Sequence, residues 1–486
     1  MSKKQQIIKH TVVYALANQL TQFIAIFAGI LTRNFLGPIQ MGMWTTLQMV
    51  QQYSSYTSLG TSQGTAREVP YYVGKRREEK AEEVKNLTVS FQTTTALITS
   101  FGICLAALLI KDKLMPMMFF GLFGIAILIV LDRINGFLIT LLRAYKQLEL
   151  VSKQMVLSGI INLGLIALFT YPFKLYGFIL AMLFSYLFNI IYNCYHFKFN
   201  FRYTLNRQIF SLISFGLPLM MLSFLESILK SIDKIMIVKM LGFEALGLYS
   251  VALMASNFLA SLPNAIAVII IPHFQEKFGE RDSTIDLKHY VDQTAEALSY
   301  FMPLIIGICW IVLPFFVHIF LPKYIEGVQA AQVLILGSFF IALSLPFSIV
   351  IVTFKKHLWM FPLFGFTICG AVLGDFIAIK SGFGTLGVAW VTVLTFSLSS
   401  SLFFLLAGHF FYKFREGVLK FIGLNGWFIL MLGVLLILGK VVSNENLFVR
   451  SGLRLILFLT ISSPFIYRLE KKYGLISLLK QKILRI

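Results

Sequence analysis

The chain has 486 residues, 57% of them hydrophobic, with a mean hydropathy of +0.79 and a formal net charge of +20. So apolar a composition excludes an ordinary soluble protein, and the lack of short alternating segments argues against a β-barrel. The basic residues fall in alternate short connections, which is the positive-inside pattern of a membrane protein rather than a nucleic-acid footprint.

Fourteen apolar segments are expected to cross about 30 Å of hydrocarbon as helices. They are 10–32, 43–66, 88–110, 114–142, 155–173, 175–197, 209–239, 243–274, 295–320, 327–354, 357–379, 383–412, 417–439 and 449–467. With the N-terminus inside, 28 of the 42 Lys and Arg lie in connections on the cytoplasmic side and 7 on the other. A multi-pass protein of the cytoplasmic (inner) membrane with both termini cytoplasmic is expected. The N-terminal segment has no small-residue cleavage site, so no signal peptide is expected.

The first segment carries a polar stripe, Asn18, Gln22, Gly29 and Arg33, ahead of the phrase Leu36-Gly37-Pro38-Ile39-Gln40-Met41-Gly42-Met43-Trp44. The second segment is the most polar. Gln51, Ser55, Ser58 and Ser62 are spaced 4, 3 and 4 apart, one face of a helix, and suit a water-filled cavity or interhelical hydrogen bonds. Lys75 to Glu83 reads as an exposed amphipathic helix. In the fourth segment Asp132 and Arg133 are adjacent, so they are expected on different faces with different partners. Arg133, with Arg143 and Lys146 at the inner end, is a candidate phosphate entry point.

The stretch 199–208, with Arg202 and Arg207, is a polar linker on which two lobes could pivot. The seventh segment, read as one helix over 209–239, holds Glu226, Lys230, Asp233 and Lys234 on one face, with Lys239 beyond. Intramembrane charge costs about 2.5–3.5 kcal/mol per group on insertion scales. This face is therefore either an ion-pair ladder or the wall of a cavity. Glu226 and the lone Asp375 are candidates for coupling to a cation. A charged connector, Glu276 to His289, follows. Four cysteines and seven histidines are scattered without metal-ligand spacing, and no catalytic triad or phosphate loop stands out, so no metal, cofactor or enzymatic site is expected.

A second phrase, Leu241-Gly242-Phe243-Glu244-Ala245-Leu246-Gly247-Leu248-Tyr249, repeats the first 205 residues on. Lys146 and Lys356, and Tyr176-Gly177 and Leu386-Gly387, correspond at an offset of 210. The fold expected is an all-α membrane protein with two six-helix lobes in a parallel repeat. The N-lobe is 1–198, the linker 199–208, the C-lobe 209–412, and 413–486 holds two further helices and a basic tail. Such repeats mark transporters that work by alternating access.

The run Ser231-Ile232-Asp233-Lys234-Ile235-Met236-Ile237-Val238-Lys239-Met240-Leu241-Gly242, followed by Gly247-Leu248-Tyr249-Ser250, resembles the polysaccharide transporter family. The opening, with Arg33, Leu36-Gly37, Gly42, Gly60, Arg67 and Pro70, is similar to that family too. It contains lipid-linked O-antigen and polysaccharide flippases, in a superfamily with multidrug and toxin extruders and lipid II flippases. The resemblance implies a flippase that moves a polyprenyl-pyrophosphate-linked oligosaccharide to the outer leaflet for cell-surface polysaccharide synthesis. It implies substrate contacts at Arg33, Asp233, Lys234 and Lys239. Partners implied are that glycan, membrane lipids and glycan polymerase machinery. The full candidate cavity set is Asn18, Gln22, Arg33, Gln51, Ser55, Glu226, Lys230, Asp233, Lys234 and Lys239. The chain departs from a strict repeat at Asn34 and Pro38, where the second copy has Met240 and Phe243. Two alternatives stand: a cation-coupled multidrug exporter, or a membrane glycan polymerase or ligase. Outer connections of no more than roughly ten residues disfavour the latter.

Overall fold

The computed structural model describes residues 3–281, 284–442 and 447–473. Among these residues the regular structure is all helical, as a chain in hydrocarbon requires, because only a helix satisfies its own backbone hydrogen bonds there. Eleven helical stretches among them are long and apolar enough to cross a membrane. Two of these, Leu16–Ser58 and Leu148–His196, have 43 and 49 residues, roughly 65 and 75 Å at 1.5 Å per residue. Each therefore has length for two crossings, which is how segments expected to be separate become single runs. The chain divides into two compact units, Met1–Ser250 and Val251–Ile486.

The first unit opens with α1 (Lys3–Ser54), which takes in the first expected segment and part of the second. It kinks at Gly37 (φ 72°, ψ 175°), next to Pro38, whose missing N–H would interrupt the helix bonding in any case. A 3-10 turn, Ser55–Ser58, follows, and then Leu59 (φ 50°) and Gly60 (φ 80°) in left-handed conformation. The chain turns there into α2 (Thr61–Gly74), α3 (Glu78–Leu109) and α4 (Pro116–Ala144). α5 (Leu148–Leu165) continues through a π turn at Ile166–Thr170 into α6 (Tyr171–His196). The core of this unit is Trp44 and Leu47 of α1, Ile125, Leu128 and Ile129 of α4, and Phe178 and Ile179 of α6, with Trp44 edge-on to Phe178 at 4.7 Å.

The expected single helix over 209–239 is two helices. α7 (Ile209–Leu229) ends at Lys230, and α8 (Ile232–Met240) begins after Ser231, whose φ of −125° is not helical. α9 (Gly242–Arg281) starts at Gly242, φ 89°. Both Leu-Gly phrases are thus bends at a left-handed glycine, one inside α1 and one between α8 and α9. The two phrases also meet. A Cβ added at Gly42 would lie 1.8 Å from the carbonyl oxygen of Phe243, and one at Gly247 would lie 1.8 Å from that of Pro38. The contact is reciprocal at an offset of 205, and only glycine lets backbones approach this closely.

The stretch 198–206 is not helical, as expected, but it does not hang free. The Arg202 backbone N–H donates to Asn86 Oδ1 (3.1 Å) and that of Thr204 to Ser90 Oγ (2.9 Å), which straps the stretch to α3. Turns after α2 and α4 place Arg76 (φ 55°) and Lys146 (φ 61°) in left-handed conformation, the position that ends a helix. In the second unit Lys355 (φ 56°), not the expected Lys356, holds the matching place. A cation there complements the negative end of the helix dipole.

The second unit holds the rest of α9, then α10 (Thr284–Phe320), α11 (Val328–Thr353), α12 (Met360–Lys380), α13 (Gly384–Gly408), α14 (Phe414–Val441) and α15 (Leu447–Tyr473). α11 packs along α13, and stacked Phe339 and Phe428 (4.2 Å) and edge-on Phe347 and Phe404 (5.0 Å) fill the space around them. The charged connector expected from Glu276 to His289 is helical up to Arg281 and again from Thr284; residues 282 and 283 lie outside the described residues, as does the tail 474–486.

Candidate substrate cavity

The break between α1 and α2 shapes the main polar site. Because the helix ends at Ser54, the stripe expected along one helix does not exist as a single face. Ser55 and Ser58 on the 3-10 turn and Ser62 on α2 nevertheless come to one cavity of about 270 Å³. Gln51 does not line it and reaches Tyr186 Oη at 3.4 Å. Gln63 and Gln92 also line the cavity, and Gln92 donates to Thr61 (3.0 Å) and Ser62 (2.9 Å). The sequence pattern does not single out those two amides or Tyr186.

Asp132 and Arg133 of α4 stand on different faces of the helix, as neighbours must, and both nevertheless line this cavity. The cavity is wide enough to span the ~100° between them, and Gly136 one turn on leaves room. They do use different partners. Asp132 interacts with Tyr186 and Gln51. Arg133 is 8% exposed; its Nη2 donates to the Ser54 carbonyl at 2.7 Å and reaches Thr57 Oγ1 at 3.4 Å. Its Nη1 is buried with no hydrogen-bond partner, and so is Gln63 Oε1. A buried polar atom without a partner costs on the order of 1–3 kcal/mol, so these atoms call for a ligand or water. The other two residues of the phosphate-entry set sit elsewhere. Arg143 is exposed and bonds Tyr14 Oη (2.7 Å), and Lys146 is exposed in its turn.

Arg33 is buried too, at 6% exposed, but it is engaged on every nitrogen. Nε donates to Ser250 Oγ (3.1 Å), Nη2 to the Ser250 carbonyl (2.8 Å) and Nη1 to the Gly29 carbonyl (3.0 Å). It ties α1 to the start of α9 beside the crossing of the two phrases. Asn18 and Gln22 lie half-buried further back on α1.

The break at Lys230–Ser231 splits the charged face expected on one helix. Glu226 and Lys230 pair at 2.5 Å at the end of α7 and are both exposed. Asp233 stands in the first turn of α8, 4% exposed, and accepts bonds from Tyr249 Oη (3.1 Å) and the Lys234 N–H (2.7 Å). Its charge also suits the positive end of the α8 dipole. Lys234 is half-buried and Lys239 exposed. α1 joins α7 through Gln52 Nε2 to Ser227 Oγ (2.6 Å) and Tyr56 Oη to the Ser223 carbonyl (3.0 Å).

In the second unit Asp375 is buried on α12. A separate network joins α10, α14 and the turn before α14. Lys420 Nζ bonds Glu296 (2.8 Å) and Asp292 (3.1 Å), Lys288 bonds Glu416 (2.8 Å), and Tyr412 donates to Asp292. Burial, and then Asp292 beside it, push the Tyr412 hydroxyl well above its ordinary range, so it stays a donor. Among the described residues no three His, Cys, Asp or Glu side chains gather as a metal site.

The architecture is a bundle of helices, eleven stretches of which, among the described residues, are long and apolar enough to cross a membrane. A solved structure of the lipid II flippase MurJ, in an inward closed conformation, superposes with a TM-score of 0.70 at 14% identity, over 94% of this chain and 99% of that one. A crystal structure of a MATE point mutant superposes with a TM-score of 0.61 at 16% identity, over 86% and 99%. An outward-facing multidrug resistance MATE family transporter of the MOP superfamily gives 0.60 at 16%, over 85% and 100%. At these identities the likeness is one of fold. Among curated proteins none matches in sequence. The sequence profile of the family described as polysaccharide biosynthesis protein matches residues 7–278, more than half of the chain, and the chain belongs to that family.

Proposed function

We propose that this protein flips a polyprenyl-pyrophosphate-linked oligosaccharide from the cytoplasmic to the outer leaflet, for cell-surface polysaccharide synthesis. One observation carries the proposal: a member of a polysaccharide biosynthesis family, with a lipid II flippase-like fold, keeps a buried Arg and a half-buried Asp on a polar cavity among its helices. A glycan headgroup needs such a surface, because its charges and hydroxyls cannot cross hydrocarbon unaided. The polyprenyl tail can stay in lipid throughout.

Transport is by alternating access, with helices of 1–198 and 209–412 as the moving lobes and 413–486 as an appendage. The crossing of the two phrases supports this, since paired copies of a repeat that meet at glycine are suited to part and re-form. Lys230, Lys234 and Lys239 are cationic contacts for the pyrophosphate; Asn18, Gln22, Gln51 and Ser55 are polar contacts. Arg33, whose bonds go to Gly29 and Ser250, positions α1 rather than touching substrate. Glu226, in its pair with Lys230, and Asp375 are the candidate carboxylates for cation coupling. The protein acts in the cytoplasmic membrane with both termini inside, alongside glycan polymerase machinery.

The test is complementation of a strain lacking its own flippase. Lys234→Ala and Arg133→Ala should abolish surface glycan while the protein is still made and inserted. Normal surface glycan in Arg133→Ala would remove the cavity from the mechanism, and in Lys234→Ala would remove that lysine as a substrate contact. The fold shared with MATE proteins favours a second reading, a multidrug exporter. Resistance to cationic dyes on expression, without any effect on glycan, would establish it.

A further inference from the structure

We propose that the cavity beneath the α1–α2 break is a saccharide subsite that takes one sugar ring by its hydroxyls, and not the pyrophosphate subsite. The proposal rests on the flippase reading and narrows it to a part of the headgroup. The lining decides the ligand's charge first. Among the described residues Arg133 is the one cation on the cavity wall, with the Asp132 carboxyl beside it. A single guanidinium does not balance the roughly two negative charges of a pyrophosphate.

Hydrogen-bond chemistry points the same way. Arg133 Nη1 is a buried donor without an acceptor, and Gln63 Oε1 a buried acceptor without a donor. An ionised phosphate offers acceptors alone and would satisfy Arg133 while leaving Gln63 Oε1 unmet. Neighbouring hydroxyls of a sugar each donate and accept, so one ring can meet both. Ser55 and Ser58 add hydroxyls, and the half-buried Tyr56 on the same wall adds an apolar face for the C–H side of a ring. About 270 Å³ lies just under the ~300–1,000 Å³ of sites for drug-sized ligands, which suits a single ring rather than a chain of them.

The experiment is saturation-transfer NMR on the full-length protein in lipid nanodiscs. Glucose, galactose, N-acetylglucosamine and rhamnose are the separate probes, with inorganic pyrophosphate as competitor. The expected result is transfer to the ring protons of at least one sugar, unaffected by equimolar pyrophosphate. Affinity should fall about tenfold or more in Asp132→Asn and in Arg133→Lys, because lysine keeps the charge but loses the planar fork. Ser55→Met, which narrows the cavity and removes only a local bond to Gln52, should do the same in a protein whose interhelical bonds are intact. Displacement of sugar by pyrophosphate, full binding by Arg133→Lys, or no transfer from any of the four sugars overturns the subsite. If sugars fail to bind but Arg133→Lys still loses surface glycan in cells, the subsite falls and the flippase reading stands. If sugars bind as expected but deleting the protein leaves surface glycan unchanged, the ring site stands and the transport role falls.

Discussion

Two arginines are buried to nearly the same depth in the first unit and are used in opposite ways. Arg33, beside the crossing of the Leu-Gly phrases, commits all three guanidinium nitrogens to Ser250 and Gly29. Arg133, beside the α1–α2 break, lines a cavity and leaves Nη1 buried without a hydrogen-bond partner. Around Arg33 backbones touch and there is no room; around Arg133 there is space and polar surface. A satisfied buried charge fixes structure, whereas an unsatisfied one keeps binding capacity in reserve at a cost to stability. Depth of burial alone would not separate them.

The contrast can be broken most severely at the crossing. Gly247→Ala would drive a Cβ to within 1.8 Å of the Pro38 carbonyl, and relieving that overlap should cost about 3 kcal/mol or more. Thermal unfolding in detergent and loss of complementation would register it; an unchanged midpoint would show that the crossing is loose. Arg33→Ala should come next, at about 2–3 kcal/mol, since three charge-assisted bonds go and the Ser250 carbonyl loses its donor. Lys420→Ala in the second unit leaves Asp292 and Glu296 without their shared cation. Partial exposure of that network holds the loss to about 2 kcal/mol, with complementation retained at permissive temperature.

Arg133→Ala sharpens the contrast from the other side. Stability should fall by about 1–2 kcal/mol, because the Ser54 carbonyl loses its donor and the contact with Thr57 goes while an unpartnered nitrogen is removed, yet complementation should fail. A large drop in stability with normal glycan would reverse the roles assigned to the two arginines. Smallest of all, Glu226→Gln breaks an exposed pair and should shift stability by under ~0.5 kcal/mol.

Much of this was legible in the chain. Hydropathy and the lopsided distribution of Lys and Arg show a multi-pass helical membrane protein, because spans of a given length and basic inner connections are physical requirements that each segment must meet alone. The polar residues at 55, 58 and 62 pointed to a cavity for the same reason. The duplicated Leu-Gly phrase was visible as text.

What the phrases do was not visible. That Gly42 meets Phe243 and Gly247 meets Pro38 depends on two segments 205 residues apart arriving at one place, and no local pattern encodes that meeting. The same holds for the break at Ser231, the strap of Arg202 and Thr204 on α3, and the sharing of one cavity by Asp132 and Arg133. Sequence by itself determined that the chain is a set of membrane helices carrying more buried polar groups than lipid tolerates. Only the tertiary structure decided which of those groups found partners, because a hydrogen bond between distant segments exists only once packing has brought its two ends together.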